Sequence, residues 1–247
     1  MKKKQYVISP KKSNGDKKRS ELVSILLLSE NHGYRMKSYG PISLIKVNGR
    51  TLLQHQMEAI SSAFINFEVI LCAGFETSKI YTYIKKQYGS RCKIRIVENQ
   101  MYYHSNCCES IRLCMNNVMT DKLVICGGGV LLTSSYLKNL DLSNSSLLYQ
   151  ESQKEGNFDV GVIENKNKLE MLSLAVKDKC WTELLYLNGD SNIQSFYNIV
   201  SKADYKTKFF FEAINGWSNK KNLKTCFNHS ESIVKINNVK TLKKVNK

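Results

Sequence analysis

Apolar positions in the first half of the chain follow two alternating patterns. Leu22 to Leu28 is an apolar run broken only by Ser24, which predicts a strand buried on both faces. A polar, glycine-containing loop follows from Ser29 to Gly40. From Thr51, Leu52, Leu53, Met57, Ile60 and Phe64 recur at helical spacing. Glu68 to Ala73 reads as a second buried strand, and Ile80, Tyr83, Ile84 and Tyr88 mark the helix behind it. Lys93 to Val97 is a third strand. Ser105 or Asn106 suits the N-cap of a helix carrying Ile111, Leu113, Met115 and Val118. Leu123 to Cys126 is a fourth strand, ending in Gly127-Gly128-Gly129.

Strand and helix alternating in this way predict an α/β fold with a Rossmann-like, doubly wound, mostly parallel sheet. Such sheets bind ligands beyond the carboxyl ends of their strands. The loops at 29–40, 74–76, 98–106 and 127–130 are therefore expected to gather at one functional edge. The second half is less regular. Leu147 to Glu151, Asp159 to Ile163 and Leu169 to Leu174 read as short strands, and Phe196 to Val200 and Phe209 to Trp217 as helices. Val234 to Asn237 reads as a last short strand before a lysine-rich helix or tail from about residue 238. One domain is expected over 21–247, preceded by an aperiodic arm at 1–20.

Charge changes the picture only at the ends. Of the net +16, residues 1–19 and 220–247 each carry +7, leaving +2 for the body. Clustered charge of this kind marks solvated arms able to meet a polyanion. No nucleic-acid-reading motif accompanies them. The eight cysteines form no CxxC pair and no signal-peptide core follows Met1, so reduced, mostly buried thiols and a cytoplasmic location are expected. His104 with Cys107, Cys108 and Cys114 lacks the paired knuckles of a zinc site. No apolar stretch is long enough for a membrane span. The wealth of Asn, Lys, Ile and Tyr suggests an AT-rich coding sequence, as in some viruses and phages.

Candidate chemistry lies in Leu27-Leu28-Ser29-Glu30-Asn31-His32-Gly33-Tyr34-Arg35-Met36, then Pro41, then Val47-Asn48-Gly49-Arg50-Thr51-Leu52-Leu53. This order resembles the opening of the nucleotidyltransferases that make nucleotide sugars and CDP-choline: L-A-A-G-x-G-x-R-M, P-K-x-L, then V-x-G-x-x-L-L. Gly74-Phe75-Glu76 resembles that family's G-Y-x turn, Asn99, Asn106 and Ser110 its N…N…S-L pattern, and Val234 to Leu242 its closing I-D-x-x-x-D-L segment. The resemblance implies a glycosyltransferase-A-like nucleotidyltransferase fold. It also implies a nucleotide-binding set of Asn31, Gly33, Arg35, Asn99, Asn106, Ser110 and Gly128. Glycines let backbone N–H groups approach phosphates, and an Arg neutralises their charge.

The departures fall where the family does its chemistry. Asn31 stands for the first loop glycine, Glu30 for a small alanine, and Ile42 for the lysine after the proline, for which Lys37 or Lys46 could stand in. The family's two Mg²⁺-holding aspartates correspond to the Gly127-Gly128-Gly129 run and to Asn237. Mg²⁺ needs carboxylate oxygens, which glycine and asparagine do not offer. Asp121, Asp159, Asp190 and Glu212 are the candidate replacements. The leading expectation is a nucleotidyltransferase-like protein that has lost catalysis and binds a nucleotide or joins a protein assembly. It would need no cofactor, and among its residues only Arg35 is a catalytic candidate and only Asn237 a metal candidate. The alternatives are a working Mg²⁺-dependent nucleotidyltransferase making a nucleotide sugar or CDP-choline, and a polyanion or nucleic-acid binder, as in a virus or phage particle.

Overall fold

The computed structural model describes residues 21–89, 93–152, 158–229 and 232–246. The arm expected at 1–20 lies outside them. Strand β1 (Val23–Ser29) is buried at every position. Its alternate residues feed two cores, because helices cover both faces of the sheet. Ile25 and Leu27 pack with helix α1 (Leu52–Ala63), strand β4 (Phe67–Ala73) and helix α2 (Thr77–Gln87). Leu26 and Leu28 pack with α3 (Cys107–Met115), α5 (Asp190–Val200) and α6 (Phe210–Ser218). Truncating such a fully buried leucine to alanine costs about 3–5 kcal/mol, so β1 anchors both cores.

Preceding α1 is a two-residue hairpin, β2 (Lys46–Val47) with β3 (Arg50–Thr51). Thr51 starts α1 with a reciprocal capping box to Gln54. Strands β5 (Ile94–Glu98) and β6 (Lys122–Gly127) complete the parallel half, in the order β5-β4-β1-β6. The sheet then continues as β10 (Lys179–Asn188), β7 (Ser146–Glu151), β11 (Lys224–Phe227), β9 (Lys168–Ser173) and β8 (Gly161–Asn165). In this half all pairings except β7 with β11 are antiparallel. The doubly wound parallel core is as expected, and it is extended into a mixed nine-stranded sheet. β8 also touches β10 at Gly161 and Cys180, so the second half curls back on itself.

Helix α4 (Ser134–Lys138) and the terminal helix α7 (Val239–Val245) lie outside the sheet. The strand expected at Val234 to Asn237 does not form. Lys235 makes only an isolated bridge to Val130, and the segment is an extended strap stitched to neighbouring loops. α7 is held by a third, small core in which Leu242 and Ile236 meet Met36, Ile42 and Leu52. No described helix is long and apolar enough to cross a membrane.

Candidate functional site

The carboxyl edge of the parallel strands opens into a crevice of about 370 Å³. β1 leads into it, and Glu30, just past the strand, lines its wall with only 4% of its surface exposed. The Glu30 Oε2 atom has no hydrogen-bond partner among the described residues. Burial pushes the Glu30 pKa up to about 7; the Glu30 main chain and the Ser110 hydroxyl pull it down, and the Glu183 charge adds to the rise. The Gly74-Phe75 turn backs this corner, with the Phe75 amide donating to the Glu30 carbonyl at 2.8 Å.

The floor is the glycine run at the end of β6. A Cβ on Gly128 would fall 2.0 Å from the Leu28 carbonyl oxygen, so β1 and this turn touch backbone to backbone. The buried Gln56 of α1 fixes the turn by donating to the Gly128 and Val130 carbonyls, both at 3.0 Å. A Cβ on Gly127 would fall 2.2 Å from Glu183 Oε2. Glu183 reaches that space because β10 breaks its ladder between Trp181 and Leu185. Thr182 there bonds the Leu148 carbonyl at 2.8 Å, and Glu183 takes a left-handed φ of 58°.

Lys235, on the strap, donates to Glu183 Oε1 at 2.5 Å. Burial alone would lower the Lys235 pKa, and the Glu183 charge more than reverses this, so the ammonium form is favoured. The strap itself is positioned by main-chain bonds: Leu131 N–H to the Val234 carbonyl at 2.9 Å, Ile236 N–H to the Gly129 carbonyl at 2.8 Å, and Tyr34 N–H to the Asn237 carbonyl at 2.8 Å.

The far wall is aromatic. Phe209, Phe210 and Phe211 at the start of α6 line it with Trp181 of β10, whose ring meets Phe210 edge-on at 4.9 Å. The Phe210 amide donates to Cys107 Sγ at 3.0 Å, and Cys108 Sγ donates to the Phe209 carbonyl at 3.2 Å. These thiols are structural, and no cluster of three or more His, Cys, Asp or Glu able to hold a metal occurs among the described residues.

Of the residues implicated from sequence, Asn31, Gly33, Asn106, Gly128 and Asn237 line the crevice, as does Asp159. Asn99 and Ser110 are buried beneath it: Asn99 Nδ2 donates to the Ser105 and Ser110 hydroxyls, both at 3.0 Å, and its Oδ1 accepts from the Met101 amide at 3.0 Å. Arg35 is exposed, stacks 5.0 Å over the Tyr34 ring, and lies outside the crevice lining. Its φ of 55° is left-handed. Neither Lys37 nor Lys46 lines the crevice; among the described residues the cation that does is Lys235. Asp121 pairs with Lys122 at the opposite end of β6, Asp190 starts α5 at that same end, and Glu212 is bonded to Lys208. Sequence reasoning missed Glu183 and Lys235. One signal was available: Lys235 interrupts the apolar run Ile233-Val234-Lys235-Ile236, and a charge in such a run needs a buried partner.

No protein-family model matches the chain, and no curated protein matches it in sequence. Solved structures do match. The CTP:phosphocholine cytidylyltransferase of Streptococcus pneumoniae superposes with a TM-score of 0.71 at 16% identity, covering 91% of this chain and 97% of that one. The inositol-1-phosphate CTP transferase of T. maritima gives 0.72 at 13% identity over 92% and 97%. A putative glucose-1-phosphate thymidylyltransferase of Bacillus anthracis gives 0.73 at 12% identity over 92% and 94%.

The chain has the nucleotidyltransferase fold.

A Mg²⁺ ion, which the fold implies, would meet few uncommitted carboxylates among the described side chains gathered here. The glycine run offers none. Asn237 offers a neutral amide whose oxygen already accepts from Asn238 at 2.8 Å. Glu183 is engaged by Lys235, and Glu30 holds a proton up to about pH 7. Among the described residues that leaves Asp159, at the low end of the one or two carboxylates that Mg²⁺ takes with phosphates and waters.

Proposed function

We propose that this is a binding protein built on the nucleotidyltransferase fold, in which the crevice holds a small ligand and no longer transfers nucleotides. The observation that carries the reading is the Glu183–Lys235 pair at 2.5 Å, lying against Gly127 where the glycine run has no side chain. Nucleotidyl transfer depends on positioning and on neutralising phosphate charge. Here Lys235, the lysine lining the crevice among the described residues, is already neutralised, and Asp159 is a further acid in the lining. Pyrophosphate release from CTP, UTP or dTTP with Mg²⁺ and phosphocholine or glucose 1-phosphate tests the reading. None is expected. Turnover that disappears in Asp159→Ala or Glu183→Ala would establish a working nucleotidyltransferase with a rearranged site instead.

Polyanion contact is a second, separate role, supported by the exposed Lys240, Lys243 and Lys244 on one side of α7. It predicts salt-sensitive binding to single-stranded RNA or DNA, with the logarithm of affinity falling linearly against that of salt. Replacing the three lysines by glutamine should flatten that dependence, and an unchanged slope would remove α7 from the role.

A further inference from the structure

We propose that the crevice binds a small organic ammonium ion, a primary amine on an apolar body, with Glu30 accepting its N–H and the ring wall holding the body. This rests on the reading of the crevice as a small-ligand site. Three observations on the lining support it. First, Glu30 Oε2 is buried and without a partner among the described residues, and a buried carboxylate oxygen without a donor is costly in a folded protein. Second, the remaining charges do not favour an anion. Glu183 and Lys235 neutralise each other, which leaves Glu30 and Asp159 among the described lining residues. Third, the rest of the lining is largely apolar, with Trp181 and Phe209 to Phe211 opposite, and ring faces attract cations.

Cys107 links the acid side to the ring wall, because its sulfur takes the Phe210 N–H and its thiol feels the Glu30 charge. An ammonium with N–H bonds suits the orphan oxygen better than a quaternary one, which has no proton to donate. The cavity of about 370 Å³ is at the small end of the range for ligand pockets, which suits an arylalkylamine.

Binding should displace the Glu30 proton near neutrality. The groups facing Glu30 are Ser110 and Cys107 from α3, Cys72 from β4 and Glu183 from β10, with Asp159 and Lys235 completing the charged lining. Cys72 and Cys107 stay protonated here, held up by their neighbours Cys114 and Cys108 and by burial.

Calorimetry on the full chain tests the proposal with 2-phenylethylamine, 2-phenylethanol and phenethyltrimethylammonium. The amine should bind at least tenfold more tightly than the other two. At pH 6.5 it should release a fraction of a proton, read from buffers of different ionisation enthalpy, and at pH 8.5 almost none. Glu30→Gln should weaken the amine at least tenfold and abolish the release, while its circular dichroism stays unchanged. Phe209→Ala, at an exposed wall position, should weaken all three ligands together. Equal binding of amine and alcohol, amine binding indifferent to Glu30→Gln, or no amine binding would each overturn the ligand class. Those results leave the pyrophosphate assay untouched, so the two readings fail separately.

Discussion

Gly127 and Glu183 occupy one space: the carboxylate of one lies where the other would carry a Cβ, 2.2 Å from Oε2. Glu183 cannot simply swing aside, because Lys235 holds its other oxygen. Gly127→Ala is therefore expected to destabilise the protein by about 1–3 kcal/mol, as overpacking does. In a Glu183→Ala background the same change should cost less than about 1 kcal/mol. Urea unfolding of the four proteins in a double-mutant cycle measures the coupling, and additive costs would show that the two residues do not compete.

Glu30 should make stability depend on pH. Its folded pKa of about 7 is above the ordinary value of 4.5, so folding favours the protonated acid. Its contribution is fully present below pH 4.5 and is lost as pH rises through 7. Glu30→Gln, a neutral isostere, should be roughly neutral at pH 4 and more stable than the parent at pH 8 by up to about 3 kcal/mol. Urea midpoints at the two pH values check this.

Lys235→Met should destabilise by about 2 kcal/mol, less than the loss from a fully buried pair, because about a fifth of each side chain reaches solvent. It also leaves the Glu183 charge uncompensated beside Glu30. The pH midpoint of the Glu30 effect should then move above 7, and a midpoint that stays put would show the three groups to be uncoupled.

Asn99→Ala should lower stability by about 2 kcal/mol, since it removes the bonds to Ser105, Ser110 and Met101 that hold the loop under Glu30. Amine affinity should fall less than in Glu30→Gln. A larger loss of binding than of stability would make Asn99 a ligand contact.

The parallel half of the fold was legible because each strand there is buried on both faces and each helix presents one apolar stripe, as in β1 and α1. The glycine run was legible for the same reason: it ends such a strand. β10 was not. Thr182 and Glu183 interrupt its apolar positions where the ladder slips, so neither period survives. Lys235 was counted with the basic terminal charge, although the fold turns it inward. Arg35 fits a phosphate-binding pattern in one dimension, and its exposure outside the crevice lining is seen only in the fold. The interrupted run marks that Lys235 needs a partner, but not that the partner is Glu183, 52 positions away.

The backbone contact between Gly128 and Leu28 also limits what position 128 can carry. Any side chain there would overlap a main-chain carbonyl that belongs to the central strand, so nothing larger than glycine can be installed by one substitution while the two segments stay in contact.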